Sequence, residues 1–297
     1  ASYSKLLSIA PSAQAHFRLA GVQTAMAKND GAIASLRTAV KLKPDFADAQ
    51  VILAGLLAKS GDLGAALEVA KAAQQSPGSA YQGYLLEGDV LAQRKTYPAA
   101  IASYIKALAQ NKGPVPVMKL YATHRLNGNA KAADEVVQQW LKSHPGDVAL
   151  RNFMAEDGLK RGNFAQAADY YQGLLKLNPK NLDAQNNLAW TYQQLKDPRA
   201  LPTAEAAYKA APESPLVMDT LAMILLEHGD KPRSLELLQK ASGAKPDDVE
   251  IAAHLALALL RNGKRAEAQA VVGKVQKTKS PFLQRAEFKE LLRQLAQ

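Results

Sequence analysis

Apolar residues recur every three to four positions along this chain, in short runs separated by polar turns. Residues 147–180 show the pattern most clearly, because two apolar runs flank the turn Gly162-Asn163. The first run contains Phe153, Met154, Ala155 and Leu159, and the second contains Ala167, Tyr171 and Leu174. This spacing places each run on one face of an α-helix. Pro179 lacks an N–H and disfavours helix in the residue before it, which predicts the end of the second helix.

The same helix pair recurs with a period of about 34 residues. Prolines mark the ends of successive pairs at Pro11, Pro44, Pro77, Pro145, Pro179, Pro212, Pro246 and Pro281. Small residues form one register in the first helices, at Ala20, Ala54, Gly88, Ala122, Ala155, Ala189, Ala222 and Ala256. They form another in the second helices, at Ala32, Ala66, Ala100, Ala133, Ala167, Ala200, Ser234 and Ala268. Helix axes approach to about 8–10 Å only where the intervening side chains are small, so these positions predict the contact within each pair.

This order of small, large apolar and proline positions resembles the tetratricopeptide repeat (TPR) family, whose repeat has the same period. The resemblance covers essentially the whole chain. It implies an all-α fold, a TPR α-solenoid in which about eight helix-turn-helix repeats form a right-handed superhelix and each repeat contacts only its neighbours. The repeats are expected to begin near Ala13, Ala47, Tyr81, Val115, Val148, Leu182, Pro215 and Val249.

Both ends of the chain lie outside this run of complete repeats, which we place at residues 13–281. Residues 1–12 match the end of a second helix whose partner is missing, so we expect the remnant of a preceding repeat; an N-terminal cap is the alternative. Residues 282–297 have the pattern of one amphipathic helix. Because a terminal repeat must be covered on its open side, we expect a capping helix there. A helix that binds a membrane or a partner is the alternative.

Two repeats depart from the regular pattern. The fourth has an irregular entry, Gly113-Pro114-Val115-Pro116 after Asn111-Lys112, which indicates either a hinge or a loop insertion. The sixth contains Asp197-Pro198-Arg199-Ala200-Leu201-Pro202, with a proline in the first turn of its second helix. That turn tolerates proline because its N–H groups have no partner within the helix.

Residue types that support catalysis do not form a recognisable motif. The chain has no cysteine, which excludes a disulfide, a thiolate metal site and a cysteine nucleophile within these 297 residues. The five histidines are scattered, and no HExxH zinc signature occurs. Phosphate loops, dinucleotide fingerprints and nucleophile elbows are also absent. We therefore expect a protein that is not an enzyme, with no catalytic residue, no cofactor and no metal.

The formal net charge is +10, from 37 basic and 27 acidic residues. Residues 261–297 contain 9 basic and 3 acidic residues, enough to attract an anionic polysaccharide or phospholipid. Nucleic acid is disfavoured, because stacking aromatic residues are not interleaved with the basic ones and no polar code repeats. No window reaches the ~18 consecutive apolar residues of a membrane span.

In TPR proteins the first helices line a concave groove, and the resemblance implies which positions face it. In repeats five to seven these are Asn152, Glu156, Lys160, Asn186, Trp190, Gln193, Asp219, Met223 and Glu227. A polar set with one tryptophan and one methionine suits an extended peptide. Trp190 is the expected anchor, with Asn152, Asn186 and Asp219 pairing with the peptide backbone. The alternative for Trp190 is burial between the first helices of adjacent repeats.

A narrower resemblance covers about the last quarter of the chain. The runs SPLVMDTLAMILLEHGD and VEIAAHLALALL are similar to the C-terminal repeats of bacterial TPR lipoproteins associated with PEP-CTERM/exosortase and exopolysaccharide systems. The matching residues are Asp219, Thr220, Leu221, Gly229, Asp230, His254, Leu255 and Ala256. This resemblance implies a periplasmic or outer-membrane-associated protein of a Gram-negative bacterium, with a membrane anchor upstream of Ala1. A cytoplasmic location is the alternative.

Together these features predict a protein–protein interaction scaffold of a bacterial envelope exopolysaccharide or surface-protein export system. Two alternatives stay open. One is direct binding of an anionic polysaccharide by the basic surface, and the other is a TPR regulatory segment of a larger enzyme. A full-length gene that encodes a catalytic domain beside the repeats would favour the latter.

Overall fold

The computed structural model describes residues 12–75, 78–110 and 113–296. These residues form seventeen α-helices and one 3-10 helix, with no β-strand among them. The predicted all-α fold is confirmed. Of the expected N-terminal remnant only Ser12 is described, where its side chain caps the first helix, and residues 1–11 lie outside the described part. Pro77 and the Asn111-Lys112 segment of the expected hinge lie outside it as well.

The helices follow one another as pairs. The first helices are α1 (Ala13–Ala25), α3 (Ala47–Lys59), α5 (Ala80–Gln93), α7 (Val115–Leu126), α9 (Val148–Lys160), α11 (Leu182–Gln194), α13 (Pro215–Glu227) and α15 (Val249–Arg261). The second helices are α2 (Asn29–Leu42), α4 (Leu63–Gln74), α6 (Tyr97–Gln110), α8 (Ala130–Ser143), α10 (Phe164–Leu177), α12 (Ala200–Ala210), α14 (Lys231–Ala244) and α16 (Arg265–Val275). A 3-10 helix (Pro281–Gln284) and α17 (Ala286–Ala296) follow the last pair.

Each first helix ends in the same turn. The residue after the helix cap has positive φ in all eight pairs, at Ala27, Gly61, Lys95, Gly128, Gly162, Lys196, Gly229 and Gly263. The next N–H then donates back to a carbonyl five residues earlier, as from Asp62 to Leu57 and from Asn163 to Gly158. This bond defines the Schellman motif, which satisfies carbonyls at the end of a helix. The positive-φ residue at the end of each first helix therefore repeats with the same period as the small residues.

The registers of small residues lie within the helix pairs, as predicted, with one exception. Ala167, for example, is fully buried, and a Cβ built on Gly158 would lie only 3.1 Å from its Cβ. The exception is Ala122, which is exposed, whereas Tyr121 beside it is buried. The prediction for Ala122 is wrong because the adjacent Tyr121 takes the inward position in this repeat.

The contacts divide the chain into two units, Ala1–Leu150 and Arg151–Gln297. In the first unit, Leu36, Leu53 and Val90 belong to one buried apolar cluster. Tyr104 and Leu120 belong to another. The ring of Tyr104 occupies the space beside Gly88, where a Cβ would lie 2.3 Å from Tyr104 Cε1. The glycine in this register therefore makes room for an aromatic core residue.

The second unit has one buried apolar cluster that runs from Ala155 to Leu295. The prediction of a single helix over residues 282–297 is wrong, because Arg285 is extended, with φ −67° and ψ 146°, between the 3-10 helix and α17. In a continuous helix, residues six positions apart lie about 120° apart around the axis. The break allows Phe282 and Phe288 both to be buried, with ring centroids 6.0 Å apart. Helix α17 packs on α15 and α16.

No helix in the described part of the chain has both the length and the apolar character that a bilayer crossing requires.

Candidate functional site

A cleft of about 480 Å³ lies in the second unit, between the first helices α11, α13 and α15 and the terminal helix α17. Six of the nine predicted groove residues line it: Asn186, Trp190, Gln193, Asp219, Met223 and Glu227. Six further polar side chains line it that the sequence reasoning missed, and three of them are ionisable: Glu250, His254 and Glu287. The cleft therefore extends one repeat further towards the C-terminus than the predicted groove and includes α17.

The remaining three predicted residues lie elsewhere. Asn152 and Glu156 line a separate cavity of about 370 Å³, which shares Asn187 and Leu216 with the lining of the cleft. Lys160 lines neither cavity, and its Nζ lies 3.8 Å from Glu156 Oε2 in an exposed ion pair on α9. The structure thus brings together the predicted residues of α11 and α13 but not those of α9.

Trp190 is partly exposed, with 38% of its surface accessible. One helical position before it, Ala189 is buried, and Tyr192 two positions after it is buried as well. The indole packs edge-on against Phe164, with ring centroids 5.7 Å apart. Trp190 is therefore neither a core residue nor a free side chain, because it packs against Phe164 and also lines the cleft.

Asn186 and Asp219 are buried, with only 4% and 7% of their surfaces exposed. We expected both side chains to be more exposed, because they were predicted to pair with a peptide backbone. Asp219 Oδ1 lies 2.8 Å from His254 Nδ1 across adjacent first helices. Asn186 Oδ1 is buried and has no hydrogen-bond partner within the described part of the chain. A buried acceptor without a donor costs about 1–3 kcal/mol.

His254 is held in an electrostatic setting that favours its charged form. Burial by itself disfavours the imidazolium, but the hydrogen bond to Asp219 and the charges of Asp219, Glu250 and Glu287 outweigh it. The pKa of His254 is therefore raised above its ordinary value. The ring also packs edge-on to Phe282, with centroids 6.5 Å apart, which places the 3-10 helix next to the cleft.

The cleft is acidic although the chain as a whole is basic. Asp219, Glu227, Glu250 and Glu287 line it, with no lysine or arginine among the lining residues. Glu227 accepts a hydrogen bond from Gln193 Nε2. The guanidinium of Arg285 pairs with two of these carboxylates, with Nη1 3.3 Å from Glu250 Oε1 and 3.4 Å from Glu287 Oε1.

A small apolar pit of about 70 Å³ shares Met223, His254 and Glu287 with the cleft. Its remaining lining is mostly apolar, from Leu257, Phe282, Phe288 and Leu291 among others. Acidic groups and an apolar recess therefore lie side by side.

A larger cavity, of about 670 Å³, lies elsewhere in the second unit and is lined by residues of α14, α15, α16 and their connections, from Ser242 to Thr278. It contains no predicted site residue and only one basic side chain, Lys274. Within the described residues, no group of three or more His, Asp or Glu side chains has an arrangement that could hold a metal ion. We therefore take the cleft, where polar groups converge around Trp190, as the candidate site.

A tetratricopeptide repeat model matches residues 17–80, 154–215 and 220–272, which together are more than half of the chain. The chain belongs to the tetratricopeptide repeat family. TPR proteins generally act as non-catalytic scaffolds that bind other proteins, and the TPR fold accounts for the paired helices, the period and the recurring turn described above.

Several solved structures are similar to this chain, and the first of them agrees with this fold. PilF of Pseudomonas aeruginosa has 16% identity and a TM-score of 0.50, over 73% of this chain and 98% of its own. A TPR protein of Parabacteroides merdae ATCC 43184 has 16% identity and a TM-score of 0.45, over 84% and 100%. MamA of Desulfovibrio magneticus RS-1 has 22% identity and a TM-score of 0.45, over 54% and 94%. At these identities the likeness concerns the fold alone. No curated protein matches the chain.

Proposed function

We propose that this TPR protein is a non-catalytic scaffold that holds an extended peptide of a partner protein in the cleft between α11, α13, α15 and α17. The observation that carries the proposal is that one cleft is lined by the partly exposed Trp190 and by Asn186, whose Oδ1 has no hydrogen-bond partner in the described residues. Large aromatic side chains supply much of the binding energy at interfaces. An unused acceptor beside one suits the N–H groups of an extended chain.

The test is to pan a randomised displayed peptide library on the wild-type protein and to measure the selected peptides against Trp190→Ala. We expect the affinity to fall at least tenfold while the protein stays folded, because a central aromatic anchor commonly contributes about 2 kcal/mol or more. Trp140→Phe is the matched control, since Trp140 lines none of the described cavities near the cleft. Peptides that bind Trp190→Ala as tightly as wild type would contradict the proposal.

We further propose that the scaffold works on the periplasmic side of a Gram-negative envelope, in exopolysaccharide or surface-protein export. The support is the local similarity of the runs around Asp219 and His254 to envelope TPR lipoproteins of such systems. Fractionation of cells that express the tagged full-length gene tests this location. Recovery of the protein with cytoplasmic markers would contradict it.

Direct binding of an anionic polysaccharide is a second candidate, because residues 261–297 carry 9 basic and 3 acidic side chains. Such binding would take place on the basic surface and not in the cleft, whose carboxylates repel anions. The indole of Trp190 separates the two functions, since a peptide in the cleft perturbs it, whereas an oligosaccharide on the basic surface does not and also weakens steeply with ionic strength. An anionic oligosaccharide that binds tightly at low salt while leaving Trp190 unperturbed would favour the second candidate.

A further inference from the structure

We propose that the cleft selects a cationic segment of its partner, with an arginine or lysine side chain placed among Asp219, Glu227, Glu250 and Glu287 and an apolar side chain next to it. This inference rests on the peptide-binding function proposed above and specifies the chemistry of the peptide. It runs against the net charge of the chain, which by itself predicts an acidic partner.

The first argument is the balance of charge in the cleft. Four carboxylates line it, against one guanidinium, that of Arg285, which pairs with Glu250 and Glu287 from beside the lining. His254 offsets one of them, Asp219, when it is protonated. Like charges close together in a partly enclosed space repel one another, and a cation placed between them relieves that repulsion.

The second argument is independent of charge. Asn186 is 96% buried, and its Oδ1, in the cleft lining, lacks a donor. Guanidinium and ammonium groups carry donors only, five in arginine and three in lysine. A cationic side chain therefore supplies donors both to an amide oxygen and to carboxylates, whereas an acidic side chain supplies none to either.

The third argument is that the end of the cleft already holds a guanidinium. Arg285 lies within 3.4 Å of both Glu250 and Glu287, and its guanidinium carbon is 5.0 Å from the centroid of the Phe282 ring. Carboxylates on one side and an aromatic face on the other are the contacts that arginine favours. Trp190 and Glu227 line the same cleft, where no arginine is among the lining residues.

The apolar pit specifies the neighbouring residue. Its volume of about 70 Å³ and its lining by Met223, Leu257 and Phe288 suit a branched aliphatic side chain. Because the pit shares His254 and Glu287 with the cleft, an apolar residue in the pit brings an adjacent basic residue of the same peptide to the carboxylates. The expected ligand is thus an extended segment in which basic and aliphatic residues alternate.

The test uses an acetylated, amidated peptide of alternating arginine and leucine, and a second peptide in which citrulline replaces arginine. Citrulline keeps the shape of arginine but has no charge. The chain has two tryptophans, so two indole N–H signals in a ¹⁵N-correlated spectrum report on Trp140 and Trp190 separately. We expect the arginine peptide to shift the Trp190 signal alone, and the citrulline peptide to bind at least about tenfold more weakly.

A matched pair of variants assigns the effect to the cleft. The combined change Glu227→Gln, Glu250→Gln and Glu287→Gln removes three lining carboxylates, and we expect it to abolish the preference for arginine over citrulline. The control is Glu213→Gln, Glu236→Gln and Glu267→Gln, which alters the net charge equally but touches no residue of the cleft lining. Thermal melts followed by circular dichroism establish that both proteins are folded.

The outcomes separate this inference from the function on which it rests. Equal affinity for the two peptides, with a shifted Trp190 signal, would overturn the cationic preference and leave peptide binding in place. If both triple variants weaken binding of the arginine peptide equally, the inference is also overturned, because the net charge of the protein would then explain the preference for arginine. If neither these peptides nor any library-selected peptide shifts Trp190 at concentrations up to about 1 mM, both proposals fail.

Discussion

Asp219 and His254, 35 residues apart in sequence, face each other across two adjacent first helices at 2.8 Å. Both side chains are largely buried, at 10% and 17% exposed. The pair connects α13 to α15 at the floor of the cleft, and Phe282 then packs edge-on against the histidine. One polar contact therefore links two repeats and the segment that leads into the terminal helix.

This pair predicts a particular dependence of stability on pH. Since the pKa of His254 is raised in the folded state by Asp219, Glu250 and Glu287, the folded protein holds a proton to higher pH than the unfolded chain does. The contribution is complete below the ordinary value of 6.5 and is lost as the pH rises through the raised pKa. We expect the free energy of unfolding to fall across that window in urea titrations.

His254→Gln should remove this part of the pH dependence, because the amide does not titrate. Asp219→Asn should weaken it, since the remaining charges of Glu250 and Glu287 act on the histidine without a direct partner. A wild-type slope retained in His254→Gln would contradict the assignment and point to another titrating group.

The repeat pattern predicted much of the fold because the contact between the two helices of a pair causes both the period of the small residues and their burial. Small residues such as Ala167 recur where two helices of a pair touch, so sequence spacing reports the contact directly. Ala122 failed because an Ala and a Tyr are adjacent there, and composition alone favoured the smaller residue. The break at Arg285 was missed because the amphipathic pattern of residues 282–297 suits a continuous helix as well. Only the burial of Phe282 beside Phe288 decides between the two.

The cleft was harder to predict than the fold. Positions on α11 and α13 follow from the small-residue register, which is why Trp190 and Asp219 were found. Glu287 reaches the cleft from α17, which lies outside the repeats, so the spacing of the small residues could not predict its position. Asn186 has the groove position that the register predicts, yet its side chain is buried, because position along a helix does not determine how closely the next repeat packs on it.

Gly88→Ala should destabilise the protein by about 1–3 kcal/mol, in spite of the higher helix propensity of alanine. The new Cβ would lie 2.3 Å from Cε1 of Tyr104, a buried ring whose hydroxyl donates to Asp89 at 2.6 Å. Neither the ring nor the helix can move away cheaply. Urea unfolding measures the loss.

Gly55→Ala is the control for Gly88→Ala, because Gly55 is also inside a first helix but has no neighbour within 4 Å of the built Cβ. We expect this change to be neutral or to stabilise by up to about 1 kcal/mol. Similar losses in both variants would show that the contact with Tyr104 is not the cause.

Ala167→Arg should cost about 3 kcal/mol or more, because an unpaired charge would be forced into the closest contact of a helix pair. Ala167 is fully buried, and the backbone of α9 at Gly158 approaches it too closely for a longer side chain. Ala165→Arg, on the exposed side of α10, adds the same side chain and should leave the melting temperature nearly unchanged. An unchanged melting temperature for Ala167→Arg would contradict the small-residue register.

Trp190→Ala and Trp140→Ala should differ in stability, although they remove the same side chain. Trp140 is 8% exposed, donates from Nε1 to Asp147 at 2.7 Å and stacks on His144, so its loss should cost about 3–5 kcal/mol. Trp190 is 38% exposed and held mainly along one edge by Phe164, so we expect a loss of only about 1 kcal/mol.

Urea unfolding of the two variants, followed by circular dichroism, measures these losses without relying on tryptophan fluorescence. Peptide binding should show the reverse order: Trp190→Ala loses it, while a folded variant of Trp140, such as Trp140→Phe, keeps it. This inversion is the signature of a binding residue, because a core residue changes binding only through stability. A loss of about 3 kcal/mol or more in Trp190→Ala would instead assign Trp190 to the core, between the first helices of adjacent repeats.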